Sequence, residues 1–123
     1  MKANEIKSYE DACLMLGLNP ENLPIVDHLP DESDRKSIIA YYKLIVITRA
    51  LNEGWEPDFS NHNQNKYFVW IWFDAAGFVC VLSSYGPSIA SAYVGSRLCF
   101  KNRDLANHAK NNFLDLYKDY LIR

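Results

Sequence analysis

The segment Ile38-Ile39-Ala40-Tyr41-Tyr42-Lys43-Leu44-Ile45-Val46-Ile47-Thr48-Arg49-Ala50-Leu51 is apolar around most of a helical circumference. A helix with so wide an apolar band is usually buried on several sides. Asp31 or Ser33 can cap its start, acidic residues in the first turn suit the helix dipole, and Gly54 can end it. The sequence therefore predicts the central helix of the domain over residues 31–54.

A short helix and a proline-rich connector precede the central helix, over residues 1–30. Ser8 is a typical N-cap residue, Asp11 follows it as an acidic capping partner, and Gly17 is a natural residue for the helix end. These signals predict a helix from Tyr9 to Leu16. Three prolines between residues 18 and 30 make a long helix improbable there.

Strand signals begin after a polar loop over residues 55–65. Lys66-Tyr67-Phe68-Val69-Trp70-Ile71-Trp72-Phe73 is almost entirely β-branched and aromatic, which predicts a strand. A short loop ending at Gly77 leads to a second predicted strand over residues 78–84, and a third spans residues 90–100. Together these segments predict a three-stranded antiparallel meander over residues 66–100.

The C-terminal segment predicts one amphipathic helix over residues 102–121. Asn102 can cap it, and its apolar residues recur at three- and four-residue steps. The element order is then α-α-β-β-β-α. We therefore expect an α+β fold, with the meander packed against the helices in a single domain over residues 1–123.

Charge and hydropathy argue against a duplex-DNA-binding protein, a membrane protein and a secreted protein. The net charge is −2, whereas dedicated duplex-DNA binders usually carry a basic surplus. No apolar run reaches the roughly 18–20 residues that span a bilayer, and the first residues lack the apolar core of a secretory signal. We expect a cytoplasmic protein with no membrane partner. Cys13, Cys80 and Cys99 are widely spaced and are expected to be buried free thiols.

Residues that could carry chemistry do not form a known pattern. His28, His62 and His108 lack the spacing of a metal site and are interpreted as solvent-facing side chains. No nucleophile elbow or phosphate-binding loop occurs. The sequence predicts no catalytic residues, no metal and no cofactor, and an enzyme is not the favoured interpretation.

The aromatic strand is the first candidate interaction site. Phe68, Trp70 and Trp72 share one face of it because side chains alternate along a strand. Aromatic rings on a sheet beside basic residues can stack the bases of single-stranded nucleic acid. The simpler interpretation is that the rings belong to the core or to a protein interface. Nucleic-acid binding therefore stays the alternative to a protein partner or self-association through this face.

Arg97, Lys101 and Arg103 are the second candidate, because they flank the start of the last predicted helix. Helix N-termini bind anions, so this group could contact a phosphate or carboxylate. The other interpretation is internal neutralisation. Residues 1–34 hold eight acidic and two basic side chains, whereas residues 95–123 hold six basic and three acidic ones.

Two segments carry a family resemblance. One runs from Tyr41 through Ala50-Leu51-Asn52-Glu53-Gly54-Trp55-Glu56-Pro57-Asp58, and the other is Val94-Gly95-Ser96-Arg97-Leu98-Cys99-Phe100-Lys101 with the helix that follows. Together they resemble a family of small uncharacterised proteins of crAss-like phages and gut Bacteroidetes genomes. The resemblance implies a phage origin and the bacterial cytoplasm, but no activity and no site residues. The leading hypothesis is a non-enzymatic accessory or interaction protein, the alternative is a single-stranded nucleic-acid binder, and a small hydrolase or ligand-binding enzyme comes third.

Overall fold

The computed structural model describes residues 1–61, 63–74, 77–86 and 96–122, with side chains for all of these except 70–74, 77–86 and 96. This part of the chain is mostly helical, so the predicted α+β class is wrong. Its elements are a 3₁₀ turn at Ala3–Glu5, helices α1 (Tyr9–Leu16) and α2 (Glu32–Asn52), strands β1 (Lys66–Asp74) and β2 (Gly77–Gly86), a 3₁₀ turn at Ser96–Leu98, and helices α3 (Arg103–Asn112) and α4 (Leu114–Leu121).

Helix α2 is central, as predicted. The Asp31 carboxylate accepts a hydrogen bond from the Asp34 N–H at 3.0 Å, which caps its first turn. Its buried side chains include Leu44, Ile47 and Leu51, and it packs against both α1 and α4. The wide apolar band is explained by these neighbours on several sides.

Helix α1 has the predicted limits and caps. The Ser8 hydroxyl accepts a hydrogen bond from the Asp11 N–H at 3.0 Å, and Gly17 closes the helix at φ 70°. Gly17 is suited to that place because a left-handed φ costs an L side chain about 1–2 kcal/mol. The Asp11 carboxylate accepts from the Lys7 N–H at 3.0 Å, one residue earlier than a capping box requires.

The predicted meander is wrong in its third strand. Strands β1 and β2 pair antiparallel, from Lys66 opposite Gly86 to Asp74 opposite Gly77, with a register shift between Trp72 and Phe73. Residues 87–95, which include the start of the predicted third strand, lie outside the described residues. The end of that prediction contains the 3₁₀ turn at residues 96–98 instead.

Phe100 forms an isolated antiparallel β-bridge with β1, on the edge of β1 that faces away from β2. Its N–H and carbonyl pair with Tyr67 at 2.6 and 3.0 Å, whereas Tyr67 has Tyr85 of β2 on its other side. In a meander the third strand would pair with β2. Residue 100 instead pairs with β1. The backbone groups on either side of Phe100 bond a side chain and not a strand. Asn52 donates to the Cys99 carbonyl at 2.8 Å and accepts from the Lys101 N–H at 3.1 Å.

The C-terminal helix is divided. Asn102 caps α3 as predicted, accepting from the Leu105 N–H at 2.9 Å, but Phe113 leaves the helical region at φ −127° and ψ 23°. Phe113 is buried in the core, so the helix is interrupted at a residue whose side chain stays packed. The single helix predicted over residues 102–121 is therefore wrong.

The ends of the chain are tied to the helices by polar contacts. The Ser37 hydroxyl donates to the Tyr120 carbonyl at 2.7 Å, and the Tyr41 and Tyr120 rings stack with centroids 4.8 Å apart. At the other end, His108 Nε2 lies 2.6 Å from the Ile6 carbonyl oxygen, and only a donating Nε2–H can pair there. His108 is half-buried, which corrects its interpretation as a solvent-facing side chain.

Two further expectations concern cysteines and the membrane. Cys13 and Cys99 are buried free thiols, as predicted, whereas the side chain of Cys80 lies outside the described set. In the part of the chain that the structure describes, no helix combines the length and apolar character needed to cross a bilayer.

Candidate binding cleft

A cleft of about 680 Å³ opens where the ends of α1 and α2 meet residues 53–59 and 97–99. We call it the Thr48 cleft. Its volume is within the range of roughly 300–1,000 Å³ that is usual for ligand pockets. Its apolar lining comes from the last turn of α1, the second half of α2 and the loop after α2. These apolar residues are Met15, Leu16, Ile45, Trp55, Pro57 and Phe59.

The loop after α2 carries the aromatic part of the cleft and is held by its own polar groups. The Asp58 carboxylate accepts from the Ser60 hydroxyl at 2.6 Å and from the Ser60 N–H at 3.0 Å. These hydrogen bonds hold the pKa of Asp58 below its usual value. The Asp58 N–H donates to the Gln64 side chain at 2.7 Å, which closes the turn. Phe59 is thereby presented at the surface, 37% exposed.

Buried Lys66 supports this loop from below. Its Nζ donates to the Asn61 carbonyl at 3.0 Å and lies 5.2 Å from the centroid of the Phe59 ring. A buried ammonium is stable only when polar or aromatic groups replace its water. The loop and the start of β1 are therefore fixed to each other, and the aromatic wall of the cleft is preformed.

The inner wall of the cleft is uncharged. Thr48, Asn52 and Cys99 line it and are buried. Burial raises the pKa of the Cys99 thiol to about 12, with the Lys66 charge offsetting only part of the effect. Cys99 is therefore a protonated thiol near neutral pH and is not activated as a nucleophile.

The rim of the cleft carries charges of both signs. Arg49, Glu53, Glu56 and Arg97 line the cleft and are exposed. Glu53 has φ 50°, and it is the one non-glycine residue of the described chain with a positive φ. A left-handed glutamate stores strain at the lip of the cleft, and such strain is common at functional positions.

Of the first predicted candidate site, the structure describes only the Phe68 side chain. Phe68 is completely buried in the hydrophobic core, so its ring offers no surface for a base in this conformation. The side chains of Trp70 and Trp72 are outside the described set. Their stacking role, or a role in self-association, stays a prediction.

The three residues of the second predicted site have different contacts. Arg97 lines the Thr48 cleft, whereas the Arg103 guanidinium lies 5.7 Å from the centroid of the Tyr67 ring. Lys101 uses its backbone N–H to bond Asn52. An anion contact shared by all three residues stays a prediction.

The histidines of the described residues do not form a metal site. His28 is exposed, His108 bonds the Ile6 carbonyl, and His62 lies outside the described residues. Within the described ranges, no group of three or more His, Cys, Asp and Glu side chains could hold a metal ion.

Sequence reasoning missed the cleft. Residues 55–65 were interpreted only as a polar loop, although Trp55 and Phe59 are large aromatic residues in a segment that is otherwise polar. Aromatic rings in a polar loop were the available signal, because solvation alone does not favour them there. Thr48 gave no signal, since a threonine within an apolar helix is not unusual.

Comparison of the chain with protein-family models, with curated proteins and with solved structures found no match in any of the three.

Proposed function

We propose that this protein is a non-enzymatic interaction protein that binds a segment of a partner protein in the Thr48 cleft. The observation that carries the proposal is the lining of the cleft. Trp55, Phe59, Met15, Arg49 and Arg97 belong to the residue types that are enriched in protein interfaces and at their energetic centres.

The arrangement of these residues supports the same conclusion. The apolar walls can bury side chains of a partner, and the charged rim can fix the orientation of the bound segment. The loop that carries Trp55 and Phe59 is braced by Asp58 and Lys66, so binding orders few groups. A preformed site loses less conformational entropy on binding than a flexible one.

The resemblance to small proteins of crAss-like phages extends the proposal to biology. On that resemblance we propose an accessory protein of phage origin that acts in the cytoplasm of a bacterial host. Single-stranded nucleic-acid binding is the competing outcome, and the core position of Phe68 gives it no support.

The experiment is a selection of 12-residue peptides from a random display library, followed by fluorescence polarisation with the enriched peptides. Trp55→Ala should weaken binding by at least about tenfold if Trp55 is at the centre of the interface. The matched control is Ile25→Ala, because Ile25 is 82% exposed and does not line the cleft. Binding should be unchanged in the control.

Two results would contradict the proposal. One is a set of enriched peptides that bind the Trp55→Ala and wild-type proteins equally. The other is a salt-sensitive mass increase with a short single-stranded DNA, measured by light scattering after size-exclusion chromatography, which would favour the nucleic-acid alternative.

A further inference from the structure

The connection between α3 and α4 is a single residue, Phe113. The hydrogen-bond ladder of α3 ends with the Phe113 N–H, which donates to the Ala109 carbonyl at 2.9 Å. The ladder of α4 begins where the Leu116 and Tyr117 N–H groups donate to the Phe113 carbonyl, at 3.1 and 3.3 Å. In a continuous helix Leu116 would instead donate to the carbonyl of Asn112. The break at Phe113 thus interrupts the regular ladder.

Helix α4 begins without a capping side chain. Ser8, Asp31 and Asn102 cap α1, α2 and α3, whereas Phe113 occupies the N-cap position of α4 and its side chain accepts no hydrogen bond there. The first N–H groups of a helix have no partners within that helix. A continuous helix through Phe113 would give these N–H groups carbonyl partners from α3.

The sequence from 103 to 121 is compatible with one continuous helix. It contains no proline and no glycine, the two residues that most strongly disfavour a helix interior. Its apolar residues keep helical spacing across the break, as in Ala109, Phe113 and Tyr117. The break is therefore not imposed by the local sequence, and it depends on what α4 contacts in the folded protein.

Those contacts are made chiefly with α2. Helix α4 packs far more extensively against α2 than against α3. The Ser37 hydroxyl donates to the Tyr120 carbonyl at 2.7 Å, the Tyr41 and Tyr120 rings stack with centroids 4.8 Å apart, and Tyr117 is buried. Helix α2 of a second copy carries the same residues, so it offers α4 the same contacts.

We propose that this chain exchanges α4 between two copies, and that residues 103–121 form one helix in the exchanged dimer. Each α4 then packs against α2 of the other copy through the contacts with Ser37 and Tyr41. The exchanged dimer regains the regular backbone bonds at Phe113, whereas the monomer avoids the entropy cost of association. Very short connections favour exchange of this kind. The inference goes beyond the proposed function, because it does not use the Thr48 cleft.

The first test is the mass of the protein after refolding from urea at high concentration. A short connection holds α4 near its own α2 at an effective concentration on the order of millimolar, so the protein is refolded at about 1 mM. Light scattering after size-exclusion chromatography should then detect a dimer beside the monomer. A monomer alone would overturn the inference.

The second test identifies the surface that joins the two copies. Equal amounts of ¹³C-labelled and unlabelled protein are refolded together, and the dimer is isolated. A half-filtered NOE experiment should detect the Tyr41 ring of one copy beside the Tyr120 ring of the other, because the stacked pair would lie between copies. The isolated monomer should give no such signal. A dimer without it would be joined through another surface and would contradict the exchange of α4.

The third test lengthens the connection by inserting two glycines between Phe113 and Leu114. Because glycine disfavours a continuous helix, we expect the dimer fraction to fall at least about tenfold. The matched control is the same insertion after Ile25, which is 82% exposed in the connector before α2, and it should leave the dimer fraction unchanged. Trp55→Ala should also leave it unchanged, which distinguishes exchange of α4 from association through the cleft.

An unchanged dimer fraction in the Phe113 insertion variant would overturn the inference. If this variant does not fold, the NOE experiment on the wild type decides the question without it. Dependence of the dimer on Trp55 would show instead that the copies meet at the Thr48 cleft. Failure of the exchange would leave the proposed function untouched, because that function is tested by the Trp55-dependent binding of display-selected peptides.

Discussion

Asn52 donates to the Cys99 carbonyl at 2.8 Å and thereby joins the last residue of α2 to a segment 47 residues further along the chain. The same side chain accepts from the Lys101 N–H at 3.1 Å. The buried Asn52 amide thus supplies hydrogen-bond partners to two backbone groups, the Cys99 carbonyl and the Lys101 N–H. It also fixes Cys99 in the wall of the Thr48 cleft.

We expect Asn52→Ala to lower the free energy of unfolding by about 2–4 kcal/mol, because it leaves a buried carbonyl and a buried N–H without partners. Urea denaturation followed by circular dichroism measures the change. Asn22→Ala is the matched control, since Asn22 is exposed, and its effect should stay within about 0.5 kcal/mol. Equal stability of the two variants would contradict this role for Asn52.

Glu53→Gly should stabilise the protein by about 0.5–1 kcal/mol, because glycine adopts φ 50° without strain. The added freedom of glycine in the unfolded chain offsets part of the gain. The comparison is Glu56→Gly, which removes the same charge from the rim at a residue without a positive φ and should not stabilise. Parallel urea titrations decide this prediction, and a loss of stability in Glu53→Gly would count against it.

Stability should fall as the pH rises above about 9, the ordinary pKa of a cysteine thiol. Burial raises the pKa of Cys99 to about 12 in the folded protein, so between these values the folded state holds a proton that the unfolded state has lost. This contribution is complete below pH 9, and above it the stability decreases by up to about 1.4 kcal/mol per pH unit. The pKa values of the Tyr9 and Tyr117 hydroxyls are also raised by burial, which adds to the decline at higher pH.

The Cys99→Ala variant distinguishes the contribution of the thiol to the alkaline loss of stability from that of the tyrosines. The variant loses some packing at every pH, but its stability should be flatter between pH 8.5 and 10 than that of the wild type. Denaturation midpoints at four pH values in that window measure the slope. An unchanged slope would show that Cys99 does not control the alkaline limit.

Ser37→Ala tests the attachment of α4 to α2. It removes the donor to the Tyr120 carbonyl, a 2.7 Å hydrogen bond, and should cost about 1 kcal/mol. Ser33→Ala is made in the first turn of the same helix as a control and should have a smaller effect. Hydrogen exchange of the α4 amides, compared between the variants, tests whether the loss is local to this helix. Unchanged exchange in α4 would contradict the assignment.

The helices were largely predictable because their signals are local. Ser8, Asp31 and Asn102 cap as expected, and the wide apolar band of α2 indicated a central helix. The break at Phe113 was not predictable, since the amphipathic period continues through it and the packing of α4 against α2 decides it. Tertiary contacts override local propensity at such positions.

The error in the third strand and the missed cleft have a different cause, because both depend on residues that are far apart in the sequence. A β-rich sequence at residues 98–100 does not reveal whether a strand or a side chain will pair with its backbone, and here the distant Asn52 does so on one side. The cleft likewise depends on Met15, Trp55 and Arg97, which are far apart in sequence. Only the composition of the loop, with its two aromatic rings, hinted at a site.

The division of the C-terminal segment at Phe113 also bears on the order of folding. Helices α3 and α4 have ten and eight residues, shorter than the roughly 12–15 that an isolated helix needs to be even marginally stable in water. Neither should persist before α2 and the core around Phe113 have formed. A peptide of residues 102–122 alone should therefore be largely unstructured, and this segment should become ordered only once it can pack against α2 and the core.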